Sequence, residues 1–141
     1  MERAFLPDAP GPVSAVLPVA PFGAPIDYAA WENFRAETGL AVIVDAAAAF
    51  DTLQPTSLPA VVSLHATKLL GAGEGGCVVT NDHDFARKVQ RRANCGFWDP
   101  RDGTMQQLNG TLSDAAAEVG RARARGGRGR ARESRGGRRG A

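Results

Sequence analysis

Apolar positions in the first hundred residues come in short runs separated by helical stripes. Ser14 to Ala20 is an apolar run rich in Val and Leu that reads as a strand, and Pro18 and Pro21 mark its end. Asp27 then stands where it can cap a helix over residues 28 to 38. Tyr28, Trp31 and Phe34 fall on one side of that helix, and Gly39 takes the C-terminal stop position. Leu40 to Val44 is a continuous apolar run without alternation, the pattern of a strand covered on both faces, and it ends abruptly at Asp45. Val61 to Leu64 and Cys77 to Thr80 supply two further strands. Asn81 and Asp82 cap a second helix running to about Asn94, with Phe85, Val89 and Ala93 on one stripe and Gly96 closing it. Strands alternating with helices predict an α/β layered domain with a mostly parallel sheet.

Composition changes the picture at both ends. Residues 1–13 are rich in Pro and charge and predict an irregular N-terminal segment, so the expected ordered unit is residues 14–120, closing with a short Ala-rich helix from Asp114 to Val119 capped by Ser113. Residues 121–141 contain only Arg, Gly, Ala, Ser and Glu. With no apolar side chain larger than Ala to offset the entropy of ordering, that tail is expected to be disordered. The 141 residues, 43% apolar and 23% charged, suit one domain rather than two. The net charge of +2 hides a division: residues 121–141 hold nine Arg and one Glu, whereas residues 1–120 hold eight basic and fourteen acidic side chains.

The uncharged window from Ala9 to Ile26 contains five prolines and is no membrane span. Glu2, Pro7 and Asp8 spoil a secretory leader, so a cytoplasmic protein is expected. Cys77 and Cys95 lie without a Cys-x-x-Cys motif or clustered His, which argues against a metal site and for two inert, reduced thiols.

Candidate chemistry gathers where strands of an α/β sheet carry function, at or just past their carboxyl ends: Asp45, Ser63 and Lys68. Singly, each has a plain reading, as a helix cap, a filler of a tight site and a solvated loop cation. Together, an acid, a hydroxyl and an amine meet the needs of a pyridoxal phosphate site. The amine serves the aldehyde, the carboxylate faces the ring nitrogen and the hydroxyl donates to the phosphate. The Gly71 to Gly76 run lacks the Gly-Lys-Ser/Thr ending of a nucleotide phosphate loop, and its glycines read as a tight turn into the next strand.

The segment Val62-Ser63-Leu64-His65-Ala66-Thr67-Lys68-Leu69-Leu70-Gly71-Ala72-Gly73-Glu74-Gly75-Gly76 resembles the lysine segment of the DegT/DnrJ/EryC1/StrS sugar aminotransferases. Val42-Ile43-Val44-Asp45-Ala46-Ala47 is similar to the family strand that ends in the pyridine-binding Asp, and Val78-Val79-Thr80-Asn81-Asp82 follows in order. Pro18-Val19, Phe22-Gly23-Ala24-Pro25, Asn94-Cys95-Gly96-Phe97 and the stretch Leu108 to Asp114 extend the likeness over roughly residues 14–120. The resemblance implies part of the large domain of a fold type I, aspartate aminotransferase-like enzyme. Lys68 would be the Schiff-base lysine, Asp45 the partner of the pyridinium nitrogen and Ser63 a phosphate donor. Asn109 would reach the phosphate of a partner subunit's cofactor in a homodimer. It further implies transfer of an amino group, usually from glutamate, onto a keto group of a nucleotide-linked deoxysugar. A family branch with His in place of the lysine removes a hydroxyl group; Lys68 here favours transamination, and His65 reads as a pocket-wall residue.

Three departures qualify that expectation. Ala48 stands where the family commonly has Gln or His against the cofactor's phenolic oxygen, and Ala20 stands where a His usually follows the Pro-Val step. The family's N-terminal part and C-terminal small domain are not represented, which suggests a truncated or frameshifted and inactive member. Two competing functions remain: an inert remnant, and nucleic-acid binding through the tail with its Arg-Gly-Gly steps at 125–127 and 135–137. Because the tail has no aromatic residue, nonspecific phosphate attraction is the expectation there.

Overall fold

The computed structural model describes residues 12–94 and 108–136, with side chains up to Arg125 in the last helix. The expected cap at Gly96, the thiol of Cys95 and residues 1–11 of the irregular N-terminal segment lie outside the described residues.

The chain runs β1 (Ala15–Val16), α1 (Tyr28–Thr38), β2 (Ala41–Val42), β3 (Val44–Asp45), β4 (Ala60–Ser63), β5 (Gly76–Val79), α2 (His83–Ala93) and α3 (Asp114–Gly136), with short 3₁₀ turns at Pro21–Gly23 and Phe50–Thr52. β1 pairs in parallel with β2, β3 pairs in parallel with β4, and β5 returns antiparallel to β4. The two ladders join, because Asp45 N–H donates to Pro18 O and Ala20 N–H to Asp45 O, carrying the first pairing past Val16 to the bridge at Val19. Four segments therefore lie side by side in the order 15–20, 41–46, 60–63 and 76–79. The expected α/β class and parallel centre are observed. The antiparallel β5 reflects its twelve-residue connection from β4, which contains no helix to carry a parallel crossover.

Both early helices follow from local chemistry. The Asp27 carboxylate accepts from Ala30 N–H at 3.0 Å at the head of α1, and Gly39 ends that helix in the left-handed region at φ 69°. Tyr28 is buried, and Trp31 and Phe34 pack against the core with their rings 5.4 Å apart, edge to face. At α2 the Asp82 carboxylate accepts from Phe85 N–H, and Phe85, Val89 and Ala93 are its partly covered stripe.

Side chains along the strands alternate between two faces. Val42, Val44, Ala46, Ala60, Val62 and Leu64 are buried together with Leu58 and Leu70, and this is the core. The other face carries Leu17, Val19, Val61 and Val78, which are 58, 55, 39 and 37% exposed. The expectation that the run from Leu40 to Val44 is covered on both faces is therefore corrected. Ala41 is exposed and Ile43 half-buried, while the side chains of α1 and α3 that pack on the sheet, Trp31, Phe34 and Ala124, join the buried cluster of the other face.

The C-terminal part differs from expectation as well. The helix that begins at Asp114 does not stop near Val119 but runs to Gly136, through most of the tail expected to be disordered. Its early turns are anchored: Gly120 is buried against Leu64 and Ala72, and Ala124 packs on the core. Beyond an anchored start each further residue adds a hydrogen bond without a new nucleus, and Ala and Arg are strong helix formers. The absence of large apolar residues removes packing, not helicity.

Candidate functional site

In the parallel pair β3–β4, Asp45 is the register partner of Val61, so both strands deliver their carboxyl ends to one edge of the sheet. Ser63 lies two residues beyond Val61 and so shares a face with Asp45. This is the open face, opposite the packed row of Val44, Ala60 and Val62. Asp45 and Ser63 are both half-buried.

Each side chain is held by one hydrogen bond and keeps its chemistry available. One Asp45 carboxylate oxygen (Oδ1) accepts from Ala47 N–H at 3.0 Å, a turn that orients the group and leaves Oδ2 without a partner among the described residues. Ser63 Oγ accepts from His65 N–H at 3.2 Å, so its own O–H remains available for an oxyanion.

Past Ser63 the chain makes a closed loop. Leu64 N–H donates to Gly75 O, Ala72 N–H to Leu64 O and Ala66 N–H to Gly73 O, which zip its sides together. Lys68 sits on the loop with both backbone groups used: its N–H donates to His65 O, and its carbonyl accepts from Gly71 N–H, each at 2.9 Å. The half-buried Lys68 side chain has no ion-pair partner among the described residues. A Cβ at Gly71 would stand 2.6 Å from Ala66 O, and Gly75 has φ +113°, so the glycines do provide the tight passage into β5.

The structure thus brings Asp45, Ser63 and the loop of Lys68 to one end of β3 and β4. Asn109 is exposed and bridged to Asn94 at the end of α2, where Leu108 and Gly110 N–H groups donate to Arg92 and Ala93 carbonyls. An open groove of about 450 Å³ lies beside the loop, walled by Glu74, Gly75, Thr111, Leu112 and Ser113. Asp45, Ser63 and Lys68 are not in its wall, so the donor set rather than concavity marks this site. Among the described residues no group of three or more His, Cys, Asp or Glu side chains is placed to hold a metal.

Comparison with known proteins gives this constellation its context. The model of the DegT/DnrJ/EryC1/StrS aminotransferase family matches residues 5–126, which is most of the chain. The chain belongs to that family. Over 120 residues it is 32% identical to the dTDP-4-amino-4,6-dideoxy-D-glucose transaminase of Shigella dysenteriae, covering 80% of this chain and 31% of that protein. It is 36% identical over 84 residues to the dTDP-3-amino-3,4,6-trideoxy-alpha-D-glucose transaminase of Micromonospora megalomicea subsp. nigra, covering 55% of this chain and 22% of that one. Among solved structures, S. venezuelae DesV, determined with a ketimine intermediate, superposes with a TM-score of 0.70 at 31% identity over 78% of this chain and 32% of its own. The 3-amino-5-hydroxybenzoic acid synthase superposes at 0.66 with 28% identity, over 78% and 32%.

This family member therefore has the PLP-dependent aminotransferase fold, and the matched part covers between 22 and 32% of the length of these relatives. The cofactor that goes with the family is pyridoxal phosphate, and the donor set present here fits it: among the described residues, the Asp45 Oδ2 oxygen, the Ser63 hydroxyl proton and the Lys68 amine have no partner. No described helix is long and apolar enough to cross a membrane.

Two further networks escaped the sequence. Glu32 on α1 accepts from the Thr56 hydroxyl at 2.7 Å and from Ser57 N–H, and Arg35 donates to Ser57 Oγ, which ties α1 to the approach to β4. The Thr56 and Ser57 bonds hold the Glu32 carboxyl below its ordinary range. The other is His65, whose ring is bonded to Thr67 and faces Glu74. Only its place between Ser63 and Lys68 could have drawn attention to it. Cys77 is a free thiol that burial pushes up in pKa, as an inert cysteine should be.

Proposed function

We propose that this chain carries the cofactor-binding part of a pyridoxal phosphate-dependent aminotransferase acting in the cytoplasm on a nucleotide-linked keto-deoxysugar, with glutamate as the amino donor. The observation that carries the reading is the placement of Asp45 and Ser63 on one face at the ends of adjacent parallel strands, with Lys68 on the loop that follows Ser63.

The bound cofactor supplies an electron sink for a carbanion beside nitrogen. The chain's own residues do the rest. Lys68 Nζ would hold the cofactor through its aldehyde and would serve as the base that moves the proton at the substrate carbon. The Asp45 carboxylate, with its free Oδ2, would face the ring nitrogen and favour its protonated form. The Ser63 O–H donates to a phosphate oxygen, as a charge-assisted bond that fixes the cofactor's orientation. Asn109 belongs to the phosphate site of a second subunit in a homodimer. The names of the transaminase relatives support the sugar substrate; Lys68, in place of a histidine, supports amino transfer over removal of a hydroxyl group.

The test uses the full chain. It is incubated with pyridoxal phosphate, reduced with borohydride and mapped by peptide mass, with Lys68→Ala in parallel. The expected result is a label on the peptide containing Lys68 and none in the variant. A label of equal yield in Lys68→Ala overturns the assignment.

A further inference from the structure

The residue between Ser63 and Lys68 carries more of the loop than its sequence suggests. His65 is the meeting point of three bonds from the residues around it. Its N–H donates to Ser63 Oγ at 3.2 Å, its carbonyl accepts from Lys68 N–H at 2.9 Å, and its ring nitrogen Nδ1 accepts from Thr67 N–H at 3.3 Å. The Thr67 hydroxyl lies 2.8 Å from the same Nδ1. A backbone N–H can only donate, so Nδ1 acts as an acceptor and the neutral ring carries its proton on Nε2. Nε2 in turn faces Glu74 Oε1 at 3.6 Å. That contact is wet, with the two side chains 46 and 86% exposed, and contributes little. The constraint on the loop comes from Nδ1.

We propose that His65 is a positioning residue: its Nδ1, by accepting from Thr67, fixes the turn that presents Lys68 beside Ser63. This rests on the reading of Lys68 as the cofactor's anchor. The geometry is that of a side chain two residues back capturing a backbone N–H, the arrangement in which Asn closes its own turns. Thr67 and Lys68 are thereby held through consecutive amides, one to the ring and one to the carbonyl of the same residue. Ser63 is tied to that residue from the other side. The backbone of His65 links the group that would hold the phosphate to the turn of the amine that would condense with the aldehyde, and its ring braces that turn at Thr67. The ring touches neither, and it acts through the backbone.

The rescue pattern follows from the acceptor. His65→Ala removes Nδ1 and leaves every backbone bond in place, so the loop loosens without unfolding. His65→Asn offers a side-chain carbonyl at the same separation and restores the turn. Amide hydrogen exchange of the full chain, without cofactor, reads this directly. The Thr67 amide should exchange roughly fivefold faster in His65→Ala, the loss expected of one hydrogen bond, and near the parental rate in His65→Asn. Borohydride trapping of pyridoxal phosphate on Lys68 should slow several-fold in the Ala variant and recover in the Asn variant, with thermal melting unchanged in both. A merely structural role would shift the melting and not the Ala-to-Asn difference. Parental exchange in His65→Ala, or equal exchange in the two variants, overturns the inference. If the parent and Lys68→Ala trap the cofactor alike, the anchor assignment fails instead, and the exchange measurement still decides the role of His65.

Discussion

The two faces of the sheet are built from similar residues and have different fates. On one, Val44 and Val62 are almost wholly buried and meet Leu58, Tyr28 and Leu70. On the other, Val19, Val61 and Val78 face outward, interrupted by Asp45 and Ser63. Hydrophobicity is nearly the same on both. What differs is how far each face is covered, and the polar pair of the site lies on the more open one. The packed face holds the strands in register, and register is what brings a carboxylate and a hydroxyl to the same side at the same edge. The chemistry sits on the open face and depends on the closed one.

Several substitutions would sharpen or break that contrast. The largest effect is expected from Leu58→Ala, a truncation in the fully buried row, at about 2–5 kcal/mol. Urea unfolding followed by circular dichroism measures it, and a cost below that range would mean the packed face is looser than its burial indicates. Gly71→Ala forces a methyl group toward the Ala66 carbonyl. It should cost about 1–3 kcal/mol in the same experiment and also slow cofactor capture by Lys68, joining loop geometry to function.

Cys77 reports on the packed face by pH. Burial raises its folded pKa above the ordinary thiol value, so the folded state favours the neutral thiol. Its contribution to stability is full below the unfolded pKa and is lost as pH rises past it toward the folded one. In a Cys95→Ser background, labelling by a thiolate-specific reagent should therefore begin at higher pH in the native than in the urea-unfolded chain. Coincident profiles would contradict burial at this position.

Glu32 has the opposite sign. Its folded carboxyl is held low by Thr56 and Ser57, so its contribution is present above the unfolded pKa and is lost as pH falls through the folded one. Glu32→Gln should flatten the acid limb of a stability-against-pH curve, and an unchanged limb would show that the tie between α1 and the approach to β4 is weak in solution. The smallest effect belongs to Val61→Ser on the open face, roughly 0.5 kcal/mol or less. A cost near that of Leu58→Ala would mean that something covers this face in solution.

Much of this was legible in the chain. The bounds of α1 follow from Asp27 and Gly39, the stripe of α2 from Phe85, Val89 and Ala93, and the order Asp45, Ser63, Lys68 from where the apolar runs end. Three things were not. The run at residues 40–44 looks the same whether one face or two are covered, because hydrophobicity records what a face can bury and not what is there to bury it. The tail's composition excludes a core but not a helix, so reading it as disorder treated packing as the only source of order. His65 looked like a wall residue because its part lies in an acceptor lone pair directed at Thr67, and no residue pattern encodes that direction.

The amino-acid sequence by itself determined the local elements and the family, since caps, stripes and a fifteen-residue lysine segment are properties of neighbours along the chain. Tertiary structure alone decided that Asp45 and Ser63 share a face, that this face is the more open one, and that the Lys68 turn is locked through His65. Strand register and hydrogen-bond direction are relations between residues that meet only when the chain has folded.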